Sequence, residues 1–173
     1  MTENKGRKDI AENEFDDEED EDSMKNRYLT FRVGEEDYGI EIVYVTEIVG
    51  MQNITEVPDM PEFVKGVINL RGQVIPVIDV RICFKLKSRE YDDRTCVVVV
   101  NIGKNAIGLI VDTVNEVINI AEDQVSLPPK MHGTDSGRYI QGLGKVGDKV
   151  KILLDVQKLL MGDDLDAITN KTA

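Results

Sequence analysis

Tryptophan is absent from this sequence, and histidine occurs once, as His132. General acid–base and nucleophilic catalysis usually draw on a histidine beside a nucleophile or on a buried acidic pair. His132 falls in the Pro- and Gly-rich stretch Leu127 to Gly137, where an exposed loop is expected. Cysteine occurs only as Cys83 and Cys96. Their separation fits neither a metal-ligand spacing nor a disulfide framework, and it points to a reducing compartment. No apolar run reaches the roughly 20 residues that cross a bilayer. The opening residues are polar and acidic where a signal peptide is basic and then apolar. Clustered Lys and Arg are missing as well, which argues against a nucleic-acid partner, because phosphate binding depends on them. The expectation is a cytoplasmic protein with no membrane insertion, cofactor or metal.

What is abundant at the start is acid. The formal net charge is −12, and Met1 to Asp22 holds 11 acidic and 3 basic residues, two thirds of that imbalance. Glu12 to Asp22 is like-charged with almost nothing to bury, so residues 1–24 are expected to form a disordered acidic tail. A folded unit is expected over 25–162, followed by a flexible tail at 163–173.

From Arg27 onward the sequence is rich in Val and Ile, in short runs separated by turn residues, which reads as β-structure. Strands are expected at Tyr28 to Val33 and Asp37 to Ile42, then at Gly66 to Leu70 and Val74 to Ile78. A second set is expected at Thr95 to Ile102, Ala106 to Asp112, Tyr139 to Val146 and Lys149 to Leu154. Each set makes two hairpins. Short helices are expected at Val43 to Val49, Val80 to Phe84 and Asp155 to Met161, with Asp79 and Asp155 placed to cap free backbone N–H groups.

An internal repeat supports two sets. Gly39 to Val49 aligns without gaps on Gly108 to Ile118, and Val77-Ile78-Asp79-Val80 resembles Leu153-Leu154-Asp155-Val156. The chain reads as two copies of one small barrel. A copy of roughly 60 to 70 residues is marginal alone, so an apolar interface between the copies is expected. Gly142-Leu143-Gly144-Lys145-Val146-Gly147 matches the dinucleotide-binding G-x-G-x-x-G pattern. That motif requires a strand before it and a helix after it. Here an alternating strand follows, so these glycines are assigned to hairpin turns and close barrel packing.

Gly66-Val67-Ile68-Asn69-Leu70-Arg71-Gly72-Gln73-Val74-Ile75-Pro76-Val77-Ile78-Asp79-Val80-Arg81 strongly resembles the hallmark segment of the bacterial chemotaxis coupling (CheW) family. Tyr38 to Ile42, Val45 to Ile48, Ile107 to Asp112, Gly142 to Gly144 and Lys149 to Asp155 add to it. The resemblance implies an all-β fold with short helices: two SH3-like five-stranded β-barrels, intertwined and packed around a shared core. It implies a non-catalytic adaptor that binds the cytoplasmic tip of methyl-accepting chemoreceptors and the regulatory domain of the histidine kinase CheA. Such an adaptor is recruited to membrane-associated receptor arrays. By the same resemblance Val45, Glu47 and Arg71 fall where receptor contacts lie, Val114 and Val117 take the matching face of the second copy, and Met131 falls at an apolar kinase contact. Two further readings stay open. The valines could be plain barrel core with Arg71 and Glu47 a surface ion pair worth little, and the chain could be a competitor that binds only kinase or only receptor.

Overall fold

The computed structural model describes residues 24–127 and 139–160. Within them the chain forms β1 (Arg27–Val33), β2 (Glu36–Glu41), β3 (Val45–Gly50), β4 (Val64–Leu70) and β5 (Gln73–Asp79), then the helix Val80–Cys83. The second half gives β6 (Cys96–Ile102), β7 (Asn105–Val111), β8 (Thr113–Asn119), β9 (Val125–Ser126), β10 (Ile140–Val146) and β11 (Lys149–Leu154), then the helix Val156–Leu160. The four expected hairpins are all present. The helix expected at Val43 to Val49 is not: Ile42–Tyr44 is one 3-10 turn, and Val45 opens β3. Four of the six residues of that strand are Val, Ile or Thr, which lose side-chain freedom in a helix and pack well on a pleated surface. The edge of β6 supplies the pairing partner. β8 and β9 are further strands that were not expected.

The strands form two sheets, in the orders β8-β1-β2-β11-β10-β9 and β3-β6-β7-β5-β4. Each draws on both halves of the sequence. β11 joins β2 in parallel at Leu153↔Gly39, and β5 joins β7 in parallel at Val77↔Gly108. The repeat superposes these pairs on one another. The likeness extends to single hydrogen bonds: Asp79 N donates to Phe63 O and Asp155 N to Tyr139 O, both at 2.8 Å. Both sheets also close on themselves. Only residues 120–124 separate β8 from β9, although these strands form opposite edges of the six-stranded sheet. After β3, Thr55 likewise bridges back to Val67 on β4 across the five-stranded sheet.

Alternation within the strands divides the apolar residues into three clusters. A central one takes Leu29, Phe31 and Val33 from β1, Val98 and Val100 from β6, and Ile107, Leu109 and Val111 from β7. The opposite faces fill the two barrels, one with Ile68, Ile75, Val77, Val97, Val99 and Ile110, the other with Tyr28, Ile120 and Leu153. Two curled sheets therefore share one core, the interface that the marginal size of each copy requires. Both capping aspartates act as expected. Asp79 Oδ1 accepts from Arg81 N at 2.9 Å, and Asp155 Oδ1 accepts from Lys158 N at 3.0 Å.

Candidate functional site

The tip of the β4–β5 hairpin is a two-residue turn closed by the pair Leu70↔Gln73. Arg71 and Gly72 occupy it with φ of 52° and 88°. Both are left-handed, as the right-handed twist of the flanking strands favours. For Gly72 this is easy; for Arg71 the backbone conformation is unfavourable and the surrounding turn must hold it. Asn69 helps, its Oδ1 accepting from Gly72 N at 2.8 Å. The Arg71 side chain is 72% exposed and forms an ion pair with Glu47, whose side chain is 28% exposed. The hydrogen bond to Glu47 pushes the Arg71 pKa up, so the guanidinium stays charged.

Glu47 is set by a β-bulge. β3 pairs with β6 at Val45↔Val100 and again at Glu47↔Val99, leaving Thr46 as the extra residue, with its hydroxyl donating to Val99 O at 3.0 Å. A bulge of this kind re-aims the side chains around it. The same irregularity recurs on β8, between Val114↔Phe31 and Val117↔Leu29. There Thr30 supplies the hydrogen bonds, donating to Glu116 O at 2.7 Å and accepting from Glu116 N at 3.2 Å.

Residues opposite each other in a sheet share a face. Val45 therefore sits on the central-core side with Val100, while Val114 and Val117 sit there with Phe31 and Leu29. Val45 and Val114 are half-buried against that core. Val117 is exposed, and so is Ile48, its counterpart in the repeat. Arg71 and Glu47 are brought into contact; the valines are divided, Val45 on edge strand β3 and Val114 and Val117 on edge strand β8 of the other sheet. Sequence reasoning missed Ile48, although the repeat that aligns Ile48 with Val117 carried the signal. The repeat also breaks in an informative place: register puts Gly147 where Arg71 stands, so only the first copy presents a guanidinium. Met131 and His132 lie outside the described residues.

The glycine-rich segment is a strand and a turn. Gly142 and Gly144 belong to β10, and a Cβ on them would stand 2.6 Å from Val125 Cγ1 and 2.9 Å from Ile120 Cδ1. Their place is close barrel packing, with Gly147 in the turn at φ 60°. Burial, reinforced by the charge of Asp79, pushes the Cys83 thiol up to about 12, so it carries no thiolate near neutral pH. Among the described residues no helix is long and apolar enough to cross a membrane.

Two curled sheets on one core, with an apolar edge on each and an exposed guanidinium fixed at one hairpin tip, define an all-β binding scaffold. Residues 27–163 match the model of the CheW-like domain, and the chain belongs to that family of chemotaxis adaptors. It is 36% identical to chemotaxis protein CheW of Klebsiella aerogenes over 149 residues, covering 86% of this chain and 90% of the relative. It is 34% identical to chemotaxis protein CheW of Treponema pallidum, over 82% of this chain and 86% of that protein. Among solved structures it is similar to the scaffolding protein TtCheW of Thermoanaerobacter tengcongensis, with a TM-score of 0.73 and 36% identity. That match covers 80% of this chain and 94% of the other.

Proposed function

We propose that this protein couples the cytoplasmic tip of methyl-accepting chemoreceptors to the regulatory domain of the histidine kinase CheA. It does so as a cytoplasmic, non-catalytic scaffold recruited to receptor arrays. The observation that carries this reading is the Arg71 turn. A non-glycine residue held at positive φ, with its guanidinium steered by Glu47, is a rigid fork suited to a bidentate contact with a carboxylate or helix end. Val45 and the exposed Ile48 lie on the neighbouring edge strand and supply the apolar part of such a contact. Val114 and Val117 offer an apolar edge without the guanidinium, so the two copies present different chemistry, as a protein serving two partners needs. Met131 is assigned to the kinase contact by family resemblance.

The test is a pull-down on the full chain with a purified receptor fragment and the kinase regulatory domain, scored for each alone and for both together. Simultaneous retention of both supports coupling. Retention of only one, with the second displacing the first, would make the protein a competitor.

A further inference from the structure

The two curled sheets are related by the repeat, yet their interiors differ at one cross-strand pair. In the five-stranded sheet Val97 stands opposite Ile110, and both are sealed inside the apolar cluster of that barrel. The repeat carries these positions onto Tyr28 and Glu41, which stand opposite each other on β1 and β2. This second pair does not seal the barrel. Beside it opens a cavity of about 580 Å3, walled in part by Tyr28, Glu41, Val43, Glu122, Val125 and Gln141. That volume lies within the roughly 300–1,000 Å3 typical of small-ligand pockets.

Tyr28 is 5% exposed, and its hydroxyl has no hydrogen-bond partner among the described residues. No described side-chain polar atom is both sealed and unpaired, so the hydroxyl oxygen is accessible, on a residue that lines the cavity. An accessible phenol with no protein partner is free to hydrogen-bond a ligand atom. Glu41 has no ion pair among the described residues. Glu122 and Lys25 both line the cavity and pair at 3.8 Å with largely exposed side chains, so the charge there is balanced and Glu41 is the unpaired carboxylate. The Tyr28 phenol is raised first by burial and then by the charges of Glu41 and Glu122, which places both carboxylates within electrostatic reach of its oxygen. An anion entering here would meet the unpaired Glu41 carboxylate, and a wholly apolar guest would leave Glu41 and the phenol unpaired.

We propose that this cavity binds an alkylammonium or guanidinium group on a short apolar stem. Glu41 accepts its charge-assisted hydrogen bonds, the Tyr28 hydroxyl accepts another, and Val43 and Val125 pack against the stem.

The experiment is a titration of the full chain, followed by calorimetry and amide NMR, with putrescine, n-butylamine and a short lysine-containing peptide, and with butyrate as the anionic control. The cations should saturate, with shifts concentrated at Tyr28, Glu41, Val125 and Gln141, while butyrate should not bind. Saturation by the free amines assigns the cavity to small amines; saturation by the peptide alone assigns it to a lysine of a protein partner. Glu41→Gln keeps the size and removes the charge, and should weaken binding about tenfold or more; Tyr28→Phe should weaken it less. The double change Tyr28→Val with Glu41→Ile rebuilds the apolar pair of the other barrel and should abolish binding. If that variant fails to fold, the Glu41→Gln comparison decides alone. No saturation by any cation up to about 20 mM, a range that covers even very weak sites, would overturn the proposal. So would unchanged affinity in Glu41→Gln, or shifts confined to another face.

Discussion

Arg71 and Glu47 belong to opposite edges of one five-stranded sheet, and their side chains nevertheless form an ion pair. Only a sheet curled nearly closed allows that contact, so the pair is a product of the barrel as much as of the turn. The turn itself favours glycine at position 71, where φ is 52°. Arg71→Gly should therefore leave Tm within roughly 3 °C of the parent, since backbone relief offsets the added chain entropy. Receptor binding should fall in the same variant. A large drop in Tm would show that Arg71 serves the fold.

Ile48 and Val117 are large apolar side chains exposed at equivalent points on β3 and β8, at 42% and 47%. Replacing either with Ser should change stability by no more than about 0.5 kcal/mol, as for surface sites without special roles. If β3 carries the receptor contact beside Arg71, Ile48→Ser weakens receptor-fragment binding in a titration. Equal binding by Ile48→Ser and the parent would remove β3 from that surface.

Gly108 and Gly39 sit where each sheet receives its parallel strand from the other half of the chain. A Cβ at Gly108 would stand 2.7 Å from Val97 Cγ1 and 2.8 Å from Val77 Cγ1, against 3.0 Å from Leu153 Cδ2 at Gly39. Stiff valines yield less than the end of a leucine. Gly108→Ala should cost about 1–3 kcal/mol, in the range of overpacked cores, and Gly39→Ala clearly less. Denaturant melts of the two variants check the order.

Lys151 donates to Asp37 Oδ2 at 2.8 Å on the six-stranded sheet, with both side chains largely withdrawn from water. The repeat places Ile75 at the position of Lys151, so one barrel holds an ion pair where the other holds apolar side chains. The hydrogen bond from Lys151 lowers the Asp37 pKa below its ordinary value. A depressed carboxylate stabilises the fold above its unfolded pKa of about 3.9, and that contribution is lost as pH falls through the lower folded value. Asp37→Asn should lower stability by about 1–3 kcal/mol near neutrality, between surface and fully buried pairs. The gap from the parent in thermal melts should close on acidification below the ordinary carboxylate range. A gap that persists in acid would assign the loss to packing.

Much of this was legible because the hairpins are local. Arg71-Gly72 and Gly147-Asp148 mark turns between alternating strands, and the aspartates before the short helices read directly as caps. The repeat showed that Val77 and Leu153 are equivalent, but not that each pairs with a strand from the other copy; periodicity carries no information about such distant partners. Val43 to Val49 was misread because a short apolar run serves helix and strand alike, and the bulge at Thr46 breaks the alternation that would have settled it. The Arg71–Glu47 pair was expected and forms, but the sheet curvature that brings its members together was not. Ile48 went unrecognised because it fell in the expected helix Val43 to Val49, whereas it stands exposed on edge strand β3.

The central claim is that the Arg71 hairpin faces the receptor and leaves the kinase contact elsewhere. Titrating the receptor fragment and the kinase regulatory domain separately against the parent, Arg71→Ala and Arg71→Lys tests it most directly. The account predicts at least about tenfold weaker receptor binding for Arg71→Ala, and partial recovery in Arg71→Lys, because an ammonium cannot reproduce a bidentate contact. Kinase affinity should be unchanged throughout. Normal receptor binding by Arg71→Ala, or an equal loss for both partners, would contradict it.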